Sequence, residues 1–320
     1  MTDDTDPTAD PCLHPLPAPG LIRVAGAEAS AFLQGQLTQD VRRIDATTTL
    51  RAACCNPKGR VLATLRLFAR DQALWLWLPA ERAAALAQRL KMYVLRAKVE
   101  LSDVSPQFAA LGVSGAGAGA RLAGVLGVPV PEQADRALTH DGLTVLGLPA
   151  APPRLAVIGD PARIDALQQA LLAAGARAAT AEDWAALDIA AGIAEVHGPL
   201  VEAFVPQMLN LDRTDGISFS KGCYTGQEIV ARVHYLGQIK QRLYRAHVDA
   251  PAAPAVAAAL IADQAGPNEQ AGQIVSVAAD PAGGWQMLAV VTTQLAARDA
   301  VRLADGTPLR LQPLHAGQDT

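Results

Sequence analysis

Cysteine is scarce in this chain: Cys12, Cys54, Cys55 and Cys223 are the four in 320 residues. None stands in a CxxC pair, and the spacings suit neither a zinc knuckle nor a disulfide scaffold. No apolar run approaches the ~18 residues a membrane-spanning helix needs. The opening MTDDTDPTAD is acidic and lacks the cationic start and apolar stretch of a secretory signal. The expectation is a cytoplasmic protein with reduced thiols and no membrane partner. Lysine is also rare, five of 27 cations, and with the abundant alanine this reflects genome composition. A net charge of −4 excludes a chain that binds nucleic acid electrostatically along its whole length, though not a local basic patch.

What the sequence does contain is enough apolar residue, 50%, for two or three packed units. Residues 1–20, rich in proline and acids, read as a flexible arm. Leu21–Ala25 leads into a helical stretch, Ala27–Leu37. Strand-like runs at 50–56 and 60–69 flank Asn56-Pro-Lys-Gly59, a tight-turn sequence, and predict a hairpin. A strand at Ala73–Leu78, a helix opened by Pro79 and a short strand at KVEL complete a first α+β unit over 21–105.

A second unit, 106–240, holds strands at Phe108–Val113, 143–148 and 154–158 and helices at 119–127, Pro161–Ala173 and 181–191. Thr180 and Asp183 form a capping box for the last of these, and Gly192 stops it. From 241 to 320, strand-like stretches at 271–278, 285–293 and 299–303 between Gly turns predict a small β-barrel. The fold class expected is α+β.

Chemistry concentrates late in the second unit. Five of the 13 aromatics (Phe204, Phe219, Tyr224, Tyr235, Tyr244) fall in residues 204–244, well above an even spread. Residues 221–245 set Lys221, Arg232, Lys240, Arg242 and Arg245 against Glu228, a local charge of +4. Such a stretch suits a flat or anionic partner; equally, it suits a solvated basic hairpin over ordinary core aromatics. Within it, Thr225-Gly226-Gln227-Glu228 reads as a capping box for a helix from Gly226 to about Val233. Cys223 then stands just before a helix N-terminus, beside Lys221, where amide dipoles and cations favour thiolate. A small residue packed in a tight turn between Gly222 and Gly226 fits the same pattern.

Residues 221–228, KGCYTGQE, resemble the signature of the YgfZ family of folate-binding proteins, linked to iron–sulfur cluster maintenance and tRNA modification. Similar to that family are also Phe204-Val-Pro-Gln-Met-Leu-Asn-Leu211, Gly216-Ile-Ser-Phe219, Glu228-Ile-Val-Ala-Arg232, Phe32-Leu-Gln-Gly-Gln-Leu-Thr-Gln-Asp-Val41, Asn56-Pro-Lys-Gly-Arg60 and Lys91-Met-Tyr-Val-Leu-Arg-Ala-Lys-Val99. The resemblance spans roughly residues 20–245, and an octapeptide between a predicted strand and helix is a specific signal.

The family resembles the glycine-cleavage T-protein, a tetrahydrofolate-dependent aminomethyltransferase. That likeness implies two interlocked antiparallel-sheet units and a C-terminal barrel around a folate pocket. The T-protein's Gly-Gly-x-x-Asp-Asp stretch corresponds here to Gly59-Arg60-Val61-Leu62-Ala63-Thr64, and its acid before Ala-Gly to Ala190. Alanine holds no charge and threonine is a poor base, so ordinary aminomethyl transfer is not expected.

For a tetrahydrofolate cofactor, the resemblance places Trp184 near the pterin. Gln207 and Asn210 offer paired donors and acceptors for its edges. Arg232, Lys221 or Arg96 offer cations for the glutamate tail. A core anchor for Trp184 and loop caps for the amides are the structural alternatives. The function implied is a folate-binding accessory protein supporting assembly or repair of iron–sulfur enzymes, including tRNA-modifying ones. Its working thiol would be Cys223, and its partners folate, iron–sulfur proteins or assembly factors, with a weak tRNA contact. Two other readings remain: a one-carbon transferase using Asp40 or Glu228, and a non-catalytic tRNA-binding module using Arg242 and Arg245.

Three features are set aside. Gly115-Ala-Gly117-Ala-Gly-Ala120 mimics a dinucleotide-binding turn, but Pro129 and Pro131 spoil the strand that should follow. Cys54 and Cys55, adjacent on a strand, point to opposite faces and make poor joint ligands. His140, His197 and His234 have no ligand spacing, so no metal site is expected.

Overall fold

The computed structural model describes residues 10–150, 154–263, 270–298 and 300–315. The chain divides into two compact units: Met1–Gln34, Asp40–Leu50 and Leu65–Trp184 form one, and Gly35–Gln39, Arg51–Thr64 and Ala185–Thr320 the other.

The first unit begins with β1 (Cys12–Pro15), β2 (Pro19–Ala25) and α1 (Ala29–Gln34). The expected arm 1–20 is thus a strand from Cys12 onward, since Leu13 and His14 are apolar or internally bonded and sit buried; residues 1–9 lie outside the described residues. Next come β3 (Thr49–Cys55) and β4 (Val61–Arg70), which cross the division at Leu50 and Thr64, then β5 (Ala73–Pro79), α2 (Ala80–Lys91) and β6 (Glu100–Asp103). The sheet order is β3-β4-β5-β2-β6. Helix α2 buries Ala83, Leu86, Ala87 and Leu90, a stripe with the three-to-four spacing of one helix face.

The unit continues with β7 (Ala109–Ser114), α3 (Ala118–Leu126), β8 (Ala137–His140), β9 (Leu143–Leu148), β10 (Arg154–Gly159), α4 (Pro161–Ala173), β11 (Arg177–Ala178) and the start of α5 (Ala181–Ala190). Their sheet runs β11-β1-β7-β10-β9-β8, antiparallel except where β1 meets β11. Leu122 of α3 and Ile164, Leu167 and Leu171 of α4 pack with Leu13, Val113, Val145 and Leu155 of the sheet. Asp160 caps α4 by accepting from the Arg163 amide at 3.0 Å, with Pro161 at the first helical position. The α5 capping box forms as expected: the Thr180 amide donates to Asp183 (2.8 Å), and the Asp183 amide to the Thr180 hydroxyl (3.1 Å). The glycine-rich turn at 115–120 lies between antiparallel strands, so no parallel βαβ unit surrounds it.

The second unit contains α6 (Gln227–Tyr235) and β12 (Gln241–Val248), β13 (Ala259–Ala262), β14 (Gln270–Ala279), β15 (Trp285–Thr292), α7 (Thr293–Ala296), β16 (Val301–Arg302) and β17 (Arg310–Pro313). These strands form one sheet, β16-β13-β14-β15-β12-β17, curled into a half-barrel. Register shifts at Leu260/Ile261 and Ile274/Ser276 supply the bulges that bend such a sheet. The fold is α+β, and the C-terminal strands curl as expected.

Candidate functional site

The KGCYTGQE segment lies in the second unit and is built from three stretches distant in sequence. In the first, Thr38, fully buried, donates its hydroxyl to the Gly216 carbonyl (2.7 Å) and accepts from the Ala53 amide (2.8 Å). The Ser218 amide donates to the Thr38 carbonyl (2.9 Å), so the 35–39 segment runs beside the approach to the motif. Lys221 follows: its ammonium donates to the carbonyls of Leu37 (2.7 Å) and Gln39 (2.8 Å) and lies 5.1 Å from the Tyr224 ring centre. A buried cation with carbonyl acceptors and an aromatic face is a structural clamp, not a charge held out for a ligand. The Lys221 ammonium, expected to offer its charge to a carboxylate or to the neighbouring thiol, is engaged by these two carbonyls.

The second stretch is the hairpin between β3 and β4. The Asn56 side-chain oxygen accepts from the amides of Lys58 (2.8 Å) and Arg60 (3.0 Å), and the Gly59 amide donates to the Asn56 carbonyl (2.9 Å). This turn meets Gly226. A Cβ on Gly226, where φ is +85°, would fall 2.5 Å from the Asn56 carbonyl oxygen and 3.0 Å from the Gly59 Cα. Two backbones therefore touch where only glycine fits. The capping box expected at Thr225–Glu228 does not form. Gly226, left-handed, is the N-cap without a side-chain bond, the Thr225 amide donates to the Gly35 carbonyl (3.2 Å), and the Gln227 side chain accepts from the Tyr224 amide (3.3 Å).

What remains outward is small. Lys221 and Tyr224 are buried, and burial pushes the Tyr224 hydroxyl pKa up, aided by the field of Cys55. Cys54 and Cys55 are both buried, the Cys55 thiol raised by desolvation. Gly222, Cys223 and Glu228 are exposed, and Cys223 is the one exposed cysteine of the four.

The third stretch is 206–212. Gln207 and Asn210 are fully buried and donate their amide groups to the carbonyls of Val230 (2.6 Å) and Leu243 (2.9 Å). Their side-chain oxygens have no partner. Arg242 donates to the Gln207 carbonyl (2.9 Å) and to both Asp212 oxygens (2.7 and 3.0 Å). Tyr244 is also buried and Arg245 is bonded to Gln312, so two of the five cations of the basic stretch, Lys221 and Arg242, serve the core, while Arg232 and Lys240 stay exposed. Arg232 is exposed on α6, and the Phe219 and His234 rings stack at 3.7 Å with Tyr235 edge-on to both.

Ala63 and Thr64, where the resemblance set the T-protein's acids, are interior: Ala63 is buried and the Thr64 hydroxyl accepts from the Val196 amide (3.0 Å). Next to Val196 stands Glu195, which sequence reasoning passed over. It keeps accessible surface but is crowded by protein, and desolvation, reinforced by the negative field of Asp188, raises its carboxyl pKa to about 7. The signal was a single acid in the run 189–201, whose other members are apolar or small save His197. Asp40, by contrast, is held well below the usual carboxylate range by Arg42, at 2.6 Å, and makes a poor base.

Two expected folate contacts belong to the first unit. Trp184 is buried, with the Arg154 guanidinium 4.7 Å from its ring centre and His14 at 5.3 Å. A Cβ on Gly112 would fall 2.5 Å from its six-membered ring. Arg96 is exposed in the loop after α2. Among the described residues no group of His, Cys, Asp and Glu could hold a metal ion.

No family model matches the chain. Curated relatives do. The tRNA-modifying protein YgfZ of Edwardsiella ictaluri is 34% identical over 302 residues, covering 93% of this chain and 90% of the relative. That of Yersinia enterocolitica is 34% identical over 306 residues, with 92% and 89% covered. The chain belongs to the YgfZ family. Among solved structures, the glycine cleavage system aminomethyltransferase T of Bartonella henselae superposes with a TM-score of 0.70 at 17% identity, covering 99% of this chain and 88% of that one. At that identity the likeness is one of fold. No helix among the described residues is long and apolar enough to cross a membrane.

Proposed function

We propose that this YgfZ-family chain is a tetrahydrofolate-binding accessory protein that supports assembly or repair of iron–sulfur enzymes, including tRNA-modifying ones, with Cys223 as the working thiol. The observation that carries the reading is the contrast inside the motif. Lys221, Tyr224 and Gly226 are fixed by buried contacts, while the one exposed cysteine sits on the turn they hold. A turn kept rigid from below and bearing a thiol above is suited to redox exchange, transient ligation or partner contact. Replacing Cys223 by Ala in a deletion strain should abolish recovery of iron–sulfur enzyme activity; full recovery would refute the thiol role.

For folate, the residues fit in kind. Within the second unit, the unpartnered oxygens of Gln207 and Asn210 are acceptors that match pterin N–H donors, and Arg232 is an exposed cation for the tail. Folate titration monitored by Trp fluorescence should weaken in Arg232→Ala. An unchanged titration would remove Arg232 from the site.

Glu195 favours one alternative. A carboxyl with a pKa of about 7, beside the residue bonded to Thr64, is a group able to take or give a proton near neutrality, as one-carbon transfer requires. Incubation with methylene-tetrahydrofolate and candidate amines tests this: turnover that Glu195→Gln abolishes would establish a transferase, and no turnover would leave the accessory role standing.

A further inference from the structure

The strongest surface feature outside the motif is the end of α2 and the loop after it, residues 89–98. Arg89, Lys91, Arg96 and Lys98 stand there without an intervening acid, in a chain whose net charge is −4. Between them, Met92 is 63% exposed, Tyr93 38% and Leu95 88%. The loop is tightly held. The amides of Met92, Tyr93 and Val94 donate to the carbonyls of Arg89 (3.1 Å), Leu90 (3.0 Å) and Lys91 (3.3 Å), and that of Ala97 to Val94 (2.8 Å). Glu28 accepts from the Lys98 backbone amide (2.6 Å), which pins the end of the loop.

Leu95 stands at φ +45°, a left-handed conformation that a leucine rarely adopts. Burial does not compensate, because the side chain is almost wholly in water. Arg89 stacks on Tyr93, its guanidinium 5.6 Å from the ring centre, leaving a cation and an aromatic ring presented together. Exposed apolar side chains ringed by cations on a pinned loop are a recognition feature.

We propose that residues 89–98 are a docking face for folded RNA of the tRNA type, with Tyr93 stacking on an unpaired base and Lys91, Arg96 and Lys98 meeting phosphates. RNA loops offer splayed bases for aromatic rings and a dense row of phosphates for cations. An acidic protein is the competing occupant, but three apolar side chains on one short loop fall well short of the ~800 Å² per partner of a stable protein interface. The proposal is independent of the thiol reading, and it gives Arg96 to RNA phosphate and not to a folate tail; Lys91→Ala/Lys98→Ala, which spares Arg96, should flatten the salt slope in the same sense. It also differs from a tRNA contact through Arg242, which is committed to Asp212.

The test is binding of fluorescently labelled bulk tRNA to the full chain between 50 and 200 mM salt. Lys91→Ala/Arg96→Ala/Lys98→Ala should flatten the dependence of log affinity on log salt by about 2, the slope of three single-strand phosphate contacts. Tyr93→Ala should weaken binding by about tenfold without changing that slope. Cys223→Ala protein should bind as the wild type does, so failure of the thiol reading leaves this result intact. Thermal melting of each variant checks that the fold is kept. Absence of tRNA binding at 50 mM salt overturns the proposal. So does loss of binding in Lys240→Ala/Arg245→Ala but not in the triple variant. A benzoylphenylalanine placed at Met92 should crosslink in cells to ribonuclease-sensitive material; adducts that only protease removes would show that the face docks a protein and would refute the proposal.

Discussion

Lys221 and Arg242 in one part of the chain, and Lys91, Arg96 and Lys98 in another, are cations in opposite circumstances. The first two are buried, and each donates to two or more fixed oxygens; the other three are exposed at the end of α2 and on the loop after it. Taking a cation out of water costs several kcal/mol unless acceptors are already placed. Lys221 and Arg242 are therefore parts of a frame, and their removal should be felt as instability. The loop cations carry no such debt, and their removal should be felt only by a ligand.

Arg242→Met tests the frame most severely. It leaves Asp212, whose side chain is 11% exposed, without its bidentate partner. A loss of about 3–5 kcal/mol in urea unfolding is expected, with Asp212→Leu/Arg242→Met recovering much of it. A loss under 1 kcal/mol would mean that the buried and exposed cations do not differ as argued. Lys221→Met should cost about 2 kcal/mol, because the Leu37 and Gln39 carbonyls lose a charged donor. Its urea midpoint should fall while tRNA affinity stays at the wild-type value.

Glu195 is an intermediate case, accessible yet crowded. Its folded pKa of about 7 lies above the ordinary 4.5, so the folded state prefers the neutral acid. The stability this contributes is complete below pH 4.5 and is lost as pH rises through about 7. Glu195→Gln keeps a neutral side chain at every pH. It should therefore raise the melting temperature relative to wild type more at pH 8 than at pH 4.5; equal shifts at both pH values would refute the crowded carboxyl.

These differences show what a sequence can carry. The Asn56–Gly59 hairpin, the Thr180 cap and the curling C-terminal strands follow from neighbours within a few residues, and so were legible. The motif was legible as a string of residues, but not its inner and outer sides. Lys221 is buried because segment 35–39 supplies two carbonyls, and Arg242 because Asp212 faces it, neither of which periodicity reveals. The Thr225–Glu228 box failed for a related reason: the Gly35 carbonyl takes the Thr225 amide, and the Asn56 turn presses on a left-handed Gly226. Trp184 likewise is braced by His14 and Arg154, far from it in the chain.

The smallest expected effect on stability is the sharpest test of the loop. Leu95→Gly removes a side chain that is 88% exposed and so little used in packing. It also relieves a left-handed backbone whose steric cost is about 1–2 kcal/mol for an L-residue. Against this, glycine's greater freedom in the unfolded chain costs roughly 0.5–1 kcal/mol. The variant should thus be as stable as the wild type, or up to about 1.5 kcal/mol more so, in urea unfolding. If the exposed leucine serves recognition, tRNA binding should weaken in the same protein. A fold that gains or holds stability while losing its ligand would identify Leu95 as kept for contact; a variant that loses stability would assign the leucine a packing role and place this loop with the buried frame.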